Sequence, residues 1–435
     1  MREAKVALRN CGRTGPVRLD TYIAECRGYS GLERALSLGR EGVIAVLRAA
    51  SLRERGGAGR PVAERWRTCA QAEADAKYVV CNALDADPRS AAARKLLSAD
   101  PHSVLEGLLV AAYAVGARHG YVCVGRGASE EIALLEEGLE HLRRRGLVGD
   151  GILGSEFSCD LEAREIPPSL VAGEDGALLA AVEGRQPLPD LRYARPAERG
   201  LWGQPTLVES AETLAVVSAL FQRDVALTAD EGAEGMIATK IVTVCGDDGQ
   251  ERTTEIELGV PLAGLIEELR GPCLQQSSSA LGIKAVQIGG PGAVFLSGDR
   301  LDIPVSHEDL EREGARLGSG SIRVFEGDVC AVETTRDLTS YLQGQSCGKC
   351  VSCREVSRQV VEILTDIAEN RGTAGGLDLL RELSAFMRDG SICEVGRSAA
   401  DPIFSSLELF PEDYRVHIDE KRCPAGQHSG ANTRS

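Results

Sequence analysis

Ser346-Cys-Gly-Lys-Cys-Val-Ser-Cys-Arg354 carries three cysteines at two-residue gaps, and a fourth, Cys393, follows at the end of a helical stretch. Such gaps let Cys347, Cys350 and Cys353 reach three irons of one cubane, while a distant cysteine supplies the ligand of the fourth iron. The pattern predicts one [4Fe–4S] cluster and hence an electron carrier. Zinc and plain reduced thiols are the alternatives, but zinc sites with four cysteines usually consist of two separated CxxC pairs.

Length and composition narrow the class of protein. With 435 residues, 43% of them hydrophobic, and no apolar run as long as a membrane span, the chain is expected to form two to four domains without direct membrane insertion. The N-terminus lacks the features of a secretory signal and the 14 cysteines fit a reducing compartment, so we expect a cytoplasmic location, at most peripheral to a membrane complex. The formal charge of −16 opposes binding to nucleic acid.

The order of helical and strand patterns predicts the domain organisation. A buried strand at Lys77-Tyr-Val-Val-Cys81, a helix from Asp100 to near Gly116 and a second strand at Tyr121-Val-Cys-Val124 alternate as in an α/β fold. Later short strands at 241–245, 253–258 and 285–288 indicate a small α+β module, and the helical last hundred residues indicate a bundle that holds the cysteines. The predicted parts are lead-in helices at 1–50, an α/β domain at 51–232, the α+β module at 236–320, the helical domain at 330–422 and a tail at 423–435.

A glycine-rich turn, Arg55-Gly-Gly-Ala-Gly59, precedes the first predicted strand. Gly56, Gly57 and Gly59 leave room for backbone amides to approach a phosphate, and Arg53, Arg55 and Arg65 place positive charge nearby. The spacing differs from the dinucleotide pattern Gly-x-Gly-x-x-Gly, and glycine clusters often only form turns. A site for an anionic cofactor and a simple turn therefore both stay open on these residues alone.

Several segments together resemble the family of flavin- and NADH-binding subunits of respiratory complex I, the 51 kDa or F-type subunits. They are Leu52-Arg-Glu-Arg-Gly-Gly-Ala-Gly59, Lys77-Tyr-Val-Val-Cys-Asn82, Asp100-Pro-His102, Gly173-Glu174, Gly200-Leu-Trp-Gly-Gln-Pro-Thr206, Glu212-Thr-Leu-Ala215 and Ser346-Cys-Gly-Lys-Cys350. Two further segments, Ala285-Val-Gln-Ile-Gly-Gly-Pro291 and Glu420-Lys-Arg-Cys-Pro-Ala-Gly426, are similar to the branch found beside soluble iron hydrogenases and formate dehydrogenases. The resemblance covers nearly the whole chain.

The resemblance implies a fold and its cofactors. It implies a Rossmann-like domain that holds FMN and takes NADH, a ubiquitin-like β-grasp domain, and a helical bundle with one [4Fe–4S] cluster. In such a family NADH gives a hydride to FMN, and electrons leave singly through iron–sulfur clusters. The partners implied are a thioredoxin-like [2Fe–2S] subunit and a hydrogenase, formate dehydrogenase or complex I-type catalytic module.

The resemblance also implies the cofactor residues. Positions that line FMN in the family are matched by Arg55, Gly56, Gly57, Gly59, Asn82, Gly173, Glu174 and Thr213, while Arg65 and Asp175 stand where the family has a lysine and a glutamate. Other positions depart from the pattern: Leu84 replaces a carboxylate, and Glu209 and Ser210 replace paired asparagines. We expect Glu209 to repel an anion unless an arginine such as Arg60 compensates for its charge.

Two functions follow from this mixture of matches and departures. The first is an oxidoreductase subunit that passes electrons between NADH, through FMN, and iron–sulfur clusters. The second is a non-catalytic electron-relay or assembly paralogue that keeps the [4Fe–4S] cluster and has lost FMN or NADH binding. The intact loop of Gly56, Gly57 and Gly59, together with Asn82, favours the first.

The cysteines outside the motif are expected to be small buried residues, with one exception near the C-terminus. Cys423, together with His417 and His428, is a candidate remnant of a metal site, with a solvated tail as the alternative. The single cysteines, Cys330 among them, are expected to fill core positions.

Overall fold

The computed structural model describes residues 5–12, 18–190, 195–222, 238–246, 249–270, 282–327 and 329–426. The chain forms two compact units. The first comprises Met1–Thr243, Thr253–Leu258 and Gly318–Gly320, and the second comprises Val244–Arg252, Gly259–Leu317 and Ser321–Ser435. The expectations for Cys273 and His428, and for the tail beyond 426, lie outside the described residues.

The first unit combines helices with a parallel sheet. Its elements in chain order are α1 (Leu19–Cys26), α2 (Ser30–Ala49), α3 (Val62–Gln71), β1 (Tyr78–Ala83), α4 (Ala92–Ala99), α5 (Pro101–Val115), β2 (His119–Gly125), α6 (Ser129–Arg144), β3 (Asp160–Ile166), α7 (Asp175–Val182), β4 (Thr206–Ser210) and α8 (Ala211–Gln222), followed by β5 (Thr239–Cys245) and β6 (Glu251–Glu257), which lie mainly in this unit. Short 3-10 turns occur at Ile152–Gly154, Val171–Gly173 and Leu201–Gly203.

The strand order β3-β2-β1-β4 is that of a Rossmann-like sheet, and all three strand pairs are parallel. The chain runs from β1 outward to β2 and β3, then returns to place β4 on the other side of β1. Asn82 at the end of β1 lies in register with Ser210 at the end of β4. This is the point where the strand order reverses, the place where open α/β sheets bind ligands.

Helix α5 shows how the local sequence fixes this layer. The Asp100 carboxylate accepts a hydrogen bond from the Ser103 backbone N–H at 3.2 Å, Pro101 starts the helix, and Gly116 ends it in the left-handed conformation. Nearly every residue of the helix is buried, because it packs against α2, α8 and β1. Its apolar character on all sides therefore reflects a core position and not a membrane span.

A buried ion pair joins the start of α8 to β5 in the first unit. The Lys240 ammonium donates to the Glu212 carboxylate at 2.5 Å, and the other Glu212 oxygen accepts the Ile241 backbone N–H at 2.7 Å. The side chains of Lys240 and Glu212 are 2% and 4% exposed, so each charge depends on the other for compensation.

The second unit contains antiparallel strands and a run of helices. Its elements are α9 (Leu262–Arg270), β7 (Ile283–Ile288), β8 (Phe295–Ser297), α10 (His307–Arg312), β9 (Ser321–Glu326), α11 (Ala331–Gly344), α12 (Val351–Ala368), α13 (Ala374–Gly390), α14 (Glu394–Ser398), α15 (Asp401–Leu409), α16 (Pro411–Arg415) and a π-helical stretch at Val416–Glu420. Strand β7 pairs antiparallel with β8 and β9. Helix α12 packs between α11 and α13, which forms the predicted bundle.

The predicted fold class is confirmed, with differences in detail. The strands expected at 77–81, 121–124, 241–245, 253–258 and 285–288 and the helix ending near Gly116 are present. Strands β3, β4, β8 and β9 are present but were not predicted. The domain boundaries remain predictions. Among the described helices, none is both long and apolar enough to cross a membrane.

Candidate cofactor sites

The glycine-rich turn forms a closed loop before α3. Arg53 and Pro61 form an isolated antiparallel bridge, and the Glu54 backbone N–H donates to the Arg60 carbonyl at 2.9 Å. Gly57 and Gly59, at the tip, have φ angles of 70° and 66°, in the left-handed region that other residues rarely adopt. Glycine is therefore required at these two positions by the backbone itself.

The loop is held against the β4–α8 junction. The Arg55 backbone N–H donates to the Thr213 hydroxyl at 2.8 Å, and Thr213 Oγ1 lies 2.9 Å from Ser210 Oγ. A Cβ at Gly56 would lie 3.3 Å from the Ser210 Cβ, so the absence of a side chain permits this close approach. These contacts bring the predicted residues Arg55, Gly56 and Thr213 together.

Asn82, Gly173 and Glu174 meet at the end of β1. The Asn82 amide donates to the Gly173 carbonyl at 3.1 Å, and a Cβ at Gly173 would lie only 2.6 Å from the Ala86 Cβ. Glu174 caps α7 by accepting the Ala177 backbone N–H at 3.0 Å. The register of Asn82 with Ser210 places this group beside the glycine loop, at the carboxyl edge of the sheet.

Arg65 brings a positive charge to this edge. Its guanidinium donates to the Glu54 carboxylate and to the Val208 carbonyl. Burial opposes its charge, but Glu209, Asp175 and Glu54 together raise its pKa. Arg65, predicted as a cofactor residue, is thus present at the site, and its positive charge interacts with three carboxyl groups.

The cation that compensates for the charge of Glu209 is not Arg60, the arginine named from the sequence. The cation that lowers the pKa of Glu209 is Arg65, with a smaller effect from the Trp66 hydrogen bond, whereas Arg60 lowers the pKa of Asp175. The reason is geometric: Arg65 lies on α3 one residue before Trp66, whose indole N–H donates to Glu209 Oε1 at 3.0 Å. Burial nevertheless dominates and raises the pKa of Glu209 to about 7.

Several other acids and one arginine have structural roles. Asp85 accepts hydrogen bonds from the Ala93 and Arg94 backbone N–H groups, and Asp87 accepts one from the Arg89 backbone N–H, so both shape the chain around α4. The Arg55 side chain is 4% exposed and donates to the Arg53 carbonyl at 3.0 Å. Burial lowers the pKa of Arg55, and the Glu212 carboxylate at the start of α8 partly offsets that effect.

The chemical groups at this edge of the first unit are suited to binding a flavin nucleotide. Three glycines leave space for close approach, and the Asn82 amide, the Thr213 hydroxyl and the Arg65 guanidinium offer polar groups at the same edge. The side-chain oxygen Glu209 Oε2 is buried and has no hydrogen-bond partner among the described residues. That orphaned oxygen opposes an anionic phosphate at this site.

The four cysteines of the second unit lie around two helix N-termini. Cys350 and Cys393 are the N-cap residues of α12 and α14, and Cys353 lies in the first turn of α12. Burial is the main cause that raises the pKa of Cys353 to about 11, and the charges of Cys350, Cys393 and Cys347 contribute to the same rise, which reflects their proximity. Cys393, predicted as the distant fourth ligand, therefore lies close to the other three cysteines.

Small residues and hydroxyl groups complete this cradle. A Cβ at Gly396 would lie 3.1 Å from the Cys353 Cβ and 2.7 Å from the Ser391 Cβ, so glycine lets α14 approach α12. Although burial raises the pKa of Cys350, backbone N–H groups of Ile392 and Cys353 and two serine hydroxyls outweigh that effect and lower it. Four converging cysteines are the ligand set of a [4Fe–4S] cluster.

A second group of possible metal ligands consists of Cys330, His417 and Cys423. Their ligand atoms all lie within 4.8 Å of one another, with His417 Nε2 3.2 Å from Cys330 Sγ. His417 Nδ1 lies 2.9 Å from the Asn370 side-chain oxygen, a contact that leaves Nε2 to face the sulfur. Cys330 was expected to be only a small buried residue; no local spacing marks it, because it lies 87 positions before His417.

Two family models match the chain. The Nuo51 FMN-binding domain matches residues 47–219, and the NADH-ubiquinone oxidoreductase-F iron-sulfur binding region matches residues 333–417. The first range contains every predicted flavin residue, and the second contains all four cluster cysteines.

Similar proteins include parts of hydrogenases and of quinone oxidoreductases. The chain is 34% identical to the NADP-reducing hydrogenase subunit HndC of Solidesulfovibrio fructosivorans, over 98% of this chain and 85% of that protein. It is 31% identical to the F subunit of the NADH-quinone oxidoreductase of Streptomyces coelicolor, over 93% of this chain and 89% of that protein. Among solved structures, an NAD+-reducing [NiFe]-hydrogenase in the H2-reduced state matches with a TM-score of 0.78 and 25% identity, over 95% of this chain and 68% of that chain.

Proposed function

Because the chain belongs to the family of NADH-quinone oxidoreductase F subunits and their hydrogenase relatives, we propose that it binds FMN and NADH and passes electrons between NADH and a [4Fe–4S] cluster within a multi-subunit oxidoreductase. The observation that carries the proposal is the pairing of two sites in one chain. A glycine loop lies at the reversal point of a parallel sheet, and four cysteines converge on the N-termini of α12 and α14.

Specific residues support each part of the proposal. In the first unit, Gly56, Gly57 and Gly59 have no side chains that would keep a phosphate from the loop backbone, and Asn82 and Thr213 place polar groups at the same edge of the sheet. FMN, when bound, supplies the conversion between two-electron hydride chemistry and one-electron transfer. Arg65 provides positive charge, and Gly173 and Glu174 shape the entrance to α7.

In the second unit, Cys347, Cys350, Cys353 and Cys393 would hold the cluster. The backbone N–H groups of Ile392 and Cys353 favour the thiolate form of Cys350, and the Ser346 hydroxyl lies 3.1 Å from Cys353 Sγ. Hydrogen bonds to the sulfurs and the exposure of a cluster tune its reduction potential, so these groups contribute to the potential of this cluster.

Partner subunits are part of the proposal. The named relatives are subunits of larger enzymes, and we propose that this chain likewise joins a thioredoxin-like [2Fe–2S] subunit and a hydrogenase, formate dehydrogenase or complex I-type catalytic module. We place such a complex in the cytoplasm, at most peripheral to a membrane. The comparisons give the relay-only alternative no support.

The test is anaerobic purification of the full chain, followed by iron analysis, acid extraction of flavin, and addition of NADH under an absorption spectrometer. We expect four irons and one FMN per chain, with bleaching of the flavin band by NADH. Cys393→Ser is expected to lose the iron and keep the FMN, whereas Cys26→Ser, on the surface helix α1, should keep both. Four irons without flavin, even after addition of FMN, would contradict the proposal.

A further inference from the structure

A group of three carboxyl side chains borders the glycine loop of the first unit. It consists of Glu54, Asp175 and Glu209, here called the acidic cluster. Glu54 precedes the loop, Asp175 begins α7, and Glu209 lies on β4, so three separate segments of the chain bring acids to one place. Arg65 is the cation that interacts with all three.

Glu209 is the member of the acidic cluster with a buried oxygen that lacks a hydrogen-bond partner among the described residues. The residue is 3% exposed, and its Oε1 accepts one hydrogen bond, from the Trp66 indole N–H. Its Oε2 is buried without a hydrogen-bond partner among the described residues. The Arg65 guanidinium donates its hydrogen bonds to the Glu54 carboxylate and to the Val208 carbonyl. An ionised carboxylate in this setting is costly, whereas the neutral acid is tolerated.

The groups that face Glu209 come from four sides. Arg65 and Trp66 face it from α3, Glu54 from the loop before that helix, and Asp175 from α7. Cys81 lies opposite it in register on β1, and burial raises the pKa of that thiol. For Glu209 burial is the largest influence and raises the pKa to about 7; Arg65 lowers it, and Glu54 and Asp175 raise it.

A bound phosphate would compete with this arrangement. The glycine loop and Arg65 are the features of the site suited to a phosphate, because one offers backbone N–H groups and the other a guanidinium. Any anion placed there must share Arg65 with Glu54 and lie near Glu209 and Asp175. Like charges at such separations disfavour one another's ionised forms.

We propose that Glu209 makes retention of the flavin phosphate depend on protonation: the site accepts FMN when the Glu209 carboxyl is neutral and rejects it when the carboxyl is ionised. This inference rests on the proposed function, since it concerns the same flavin site. Glu209 stands where the family has an asparagine. The inference gives Glu209 the role of discriminating between FMN, which carries a phosphate, and riboflavin, which does not. Glu209 is here a specificity-determining residue, not a catalytic one.

The expected size of the effect follows from the fraction of competent protein. With a pKa of about 7, the neutral form falls from roughly nine-tenths at pH 6 to roughly one-tenth at pH 8. The apparent Kd for FMN should therefore rise about tenfold over that interval. Riboflavin lacks the phosphate, so its Kd should not change in this way.

The experiment is equilibrium dialysis of the flavin-depleted, cluster-containing full chain against FMN and against riboflavin at pH 6 and pH 8. The variants are Glu209→Gln, which can keep the acceptor for Trp66, and Glu209→Asn, a second neutral side chain. Glu165→Gln, on an exposed position of β3, is the matched control. The unfolding midpoint of each variant establishes that it is folded.

The proposal expects the neutral variants to bind FMN about tenfold more tightly than the parent at pH 8, and about equally at pH 6. The phosphate of FMN titrates near pH 6 on its own, but that change is common to parent and variants. An equal pH dependence of FMN binding in the parent and in both neutral variants would overturn this inference and leave the proposed function standing. Absence of flavin binding in all forms at both pH values would overturn the two together.

Discussion

At the scale of single residues, Gly396 decides whether the cluster cradle can close. Helix α14 approaches α12 so closely that a Cβ at this position would meet Cys353 and Ser391. Neither neighbour is a flexible side-chain end, because the nearest atoms are Cβ and Oγ atoms close to the backbone. A methyl group here must displace a cysteine ligand or the start of α14, which carries Cys393.

We expect Gly396→Ala to lower the iron content well below four per chain and to destabilise the fold by about 1–3 kcal/mol, the usual cost of overpacking. Gly375→Ala is the control, since it lies in the first turn of α13 with nothing within 4 Å of the added Cβ. Iron analysis and the thermal unfolding midpoint check both variants. Full iron content in Gly396→Ala would show that α14 can shift without loss of its ligand.

Residue-scale features also mark the limit of inference from sequence. The cluster ligands were predictable because three lie at fixed gaps in one segment. That Arg65 and not Arg60 compensates for Glu209 was not predictable, because it depends on which side of α3 faces β4. Spacing along the chain does not determine that rotation.

At the scale of elements, the π-helical stretch Val416–Glu420 positions a set of possible metal ligands. It follows α16 directly, buries His417 and leads to Cys423, while Cys330 is the N-cap residue of α11. Two thiols and one imidazole suit zinc, which accepts a water molecule as a fourth ligand. The contact of His417 Nδ1 with Asn370 fixes the ring in the orientation that such a ligand needs.

We expect the anaerobically purified chain to contain about one zinc in addition to its iron, and Cys423→Ser to lose the zinc while keeping the iron. Cys159→Ser, a buried single cysteine of the first unit, should change neither metal. Elemental analysis of zinc and iron in the same samples is the measurement. Equal zinc in the parent and in Cys423→Ser would place the metal elsewhere.

The helices and strands differed in how clearly their local sequences predicted them. Helix α5 has a capping aspartate, an initial proline and a terminal glycine, and its predicted limits match the structure. Strand β8 follows the turn-forming segment Gly289-Gly-Pro-Gly292 but has only three residues, and its pairing with β7 holds it in place. The local sequence specified helix α5, whereas strand β8 depends on its tertiary partner β7.

At the scale of the whole molecule, the first unit depends on long-range polar contacts as well as on its apolar core. The Lys240–Glu212 pair is its most buried ion pair among the described residues, and it joins β5 to the helix that follows β4. Removal of one partner leaves the other charge buried without compensation. Exposed ion pairs such as Arg144–Glu140 lack this property.

We expect Lys240→Ala to destabilise the first unit by about 3–5 kcal/mol, because the Glu212 carboxylate loses its counter-charge. Arg144→Ala should cost less than about 1 kcal/mol, since its partner stays solvated. Urea unfolding followed by circular dichroism measures both. A loss for Lys240→Ala no larger than that for Arg144→Ala would mean that Glu212 becomes neutral or hydrated at little cost.

The bond between the Arg55 backbone N–H and the Thr213 hydroxyl joins positions 158 residues apart. During synthesis at about 5–20 residues per second, the glycine loop therefore leaves the ribosome roughly 8–30 s before the helix that completes its pocket. Flavin cannot find its full binding site on a nascent chain of that length. Loading of the cofactor therefore has to wait until α8 has emerged, and until then the glycine loop lacks its contacts with Ser210 and Thr213.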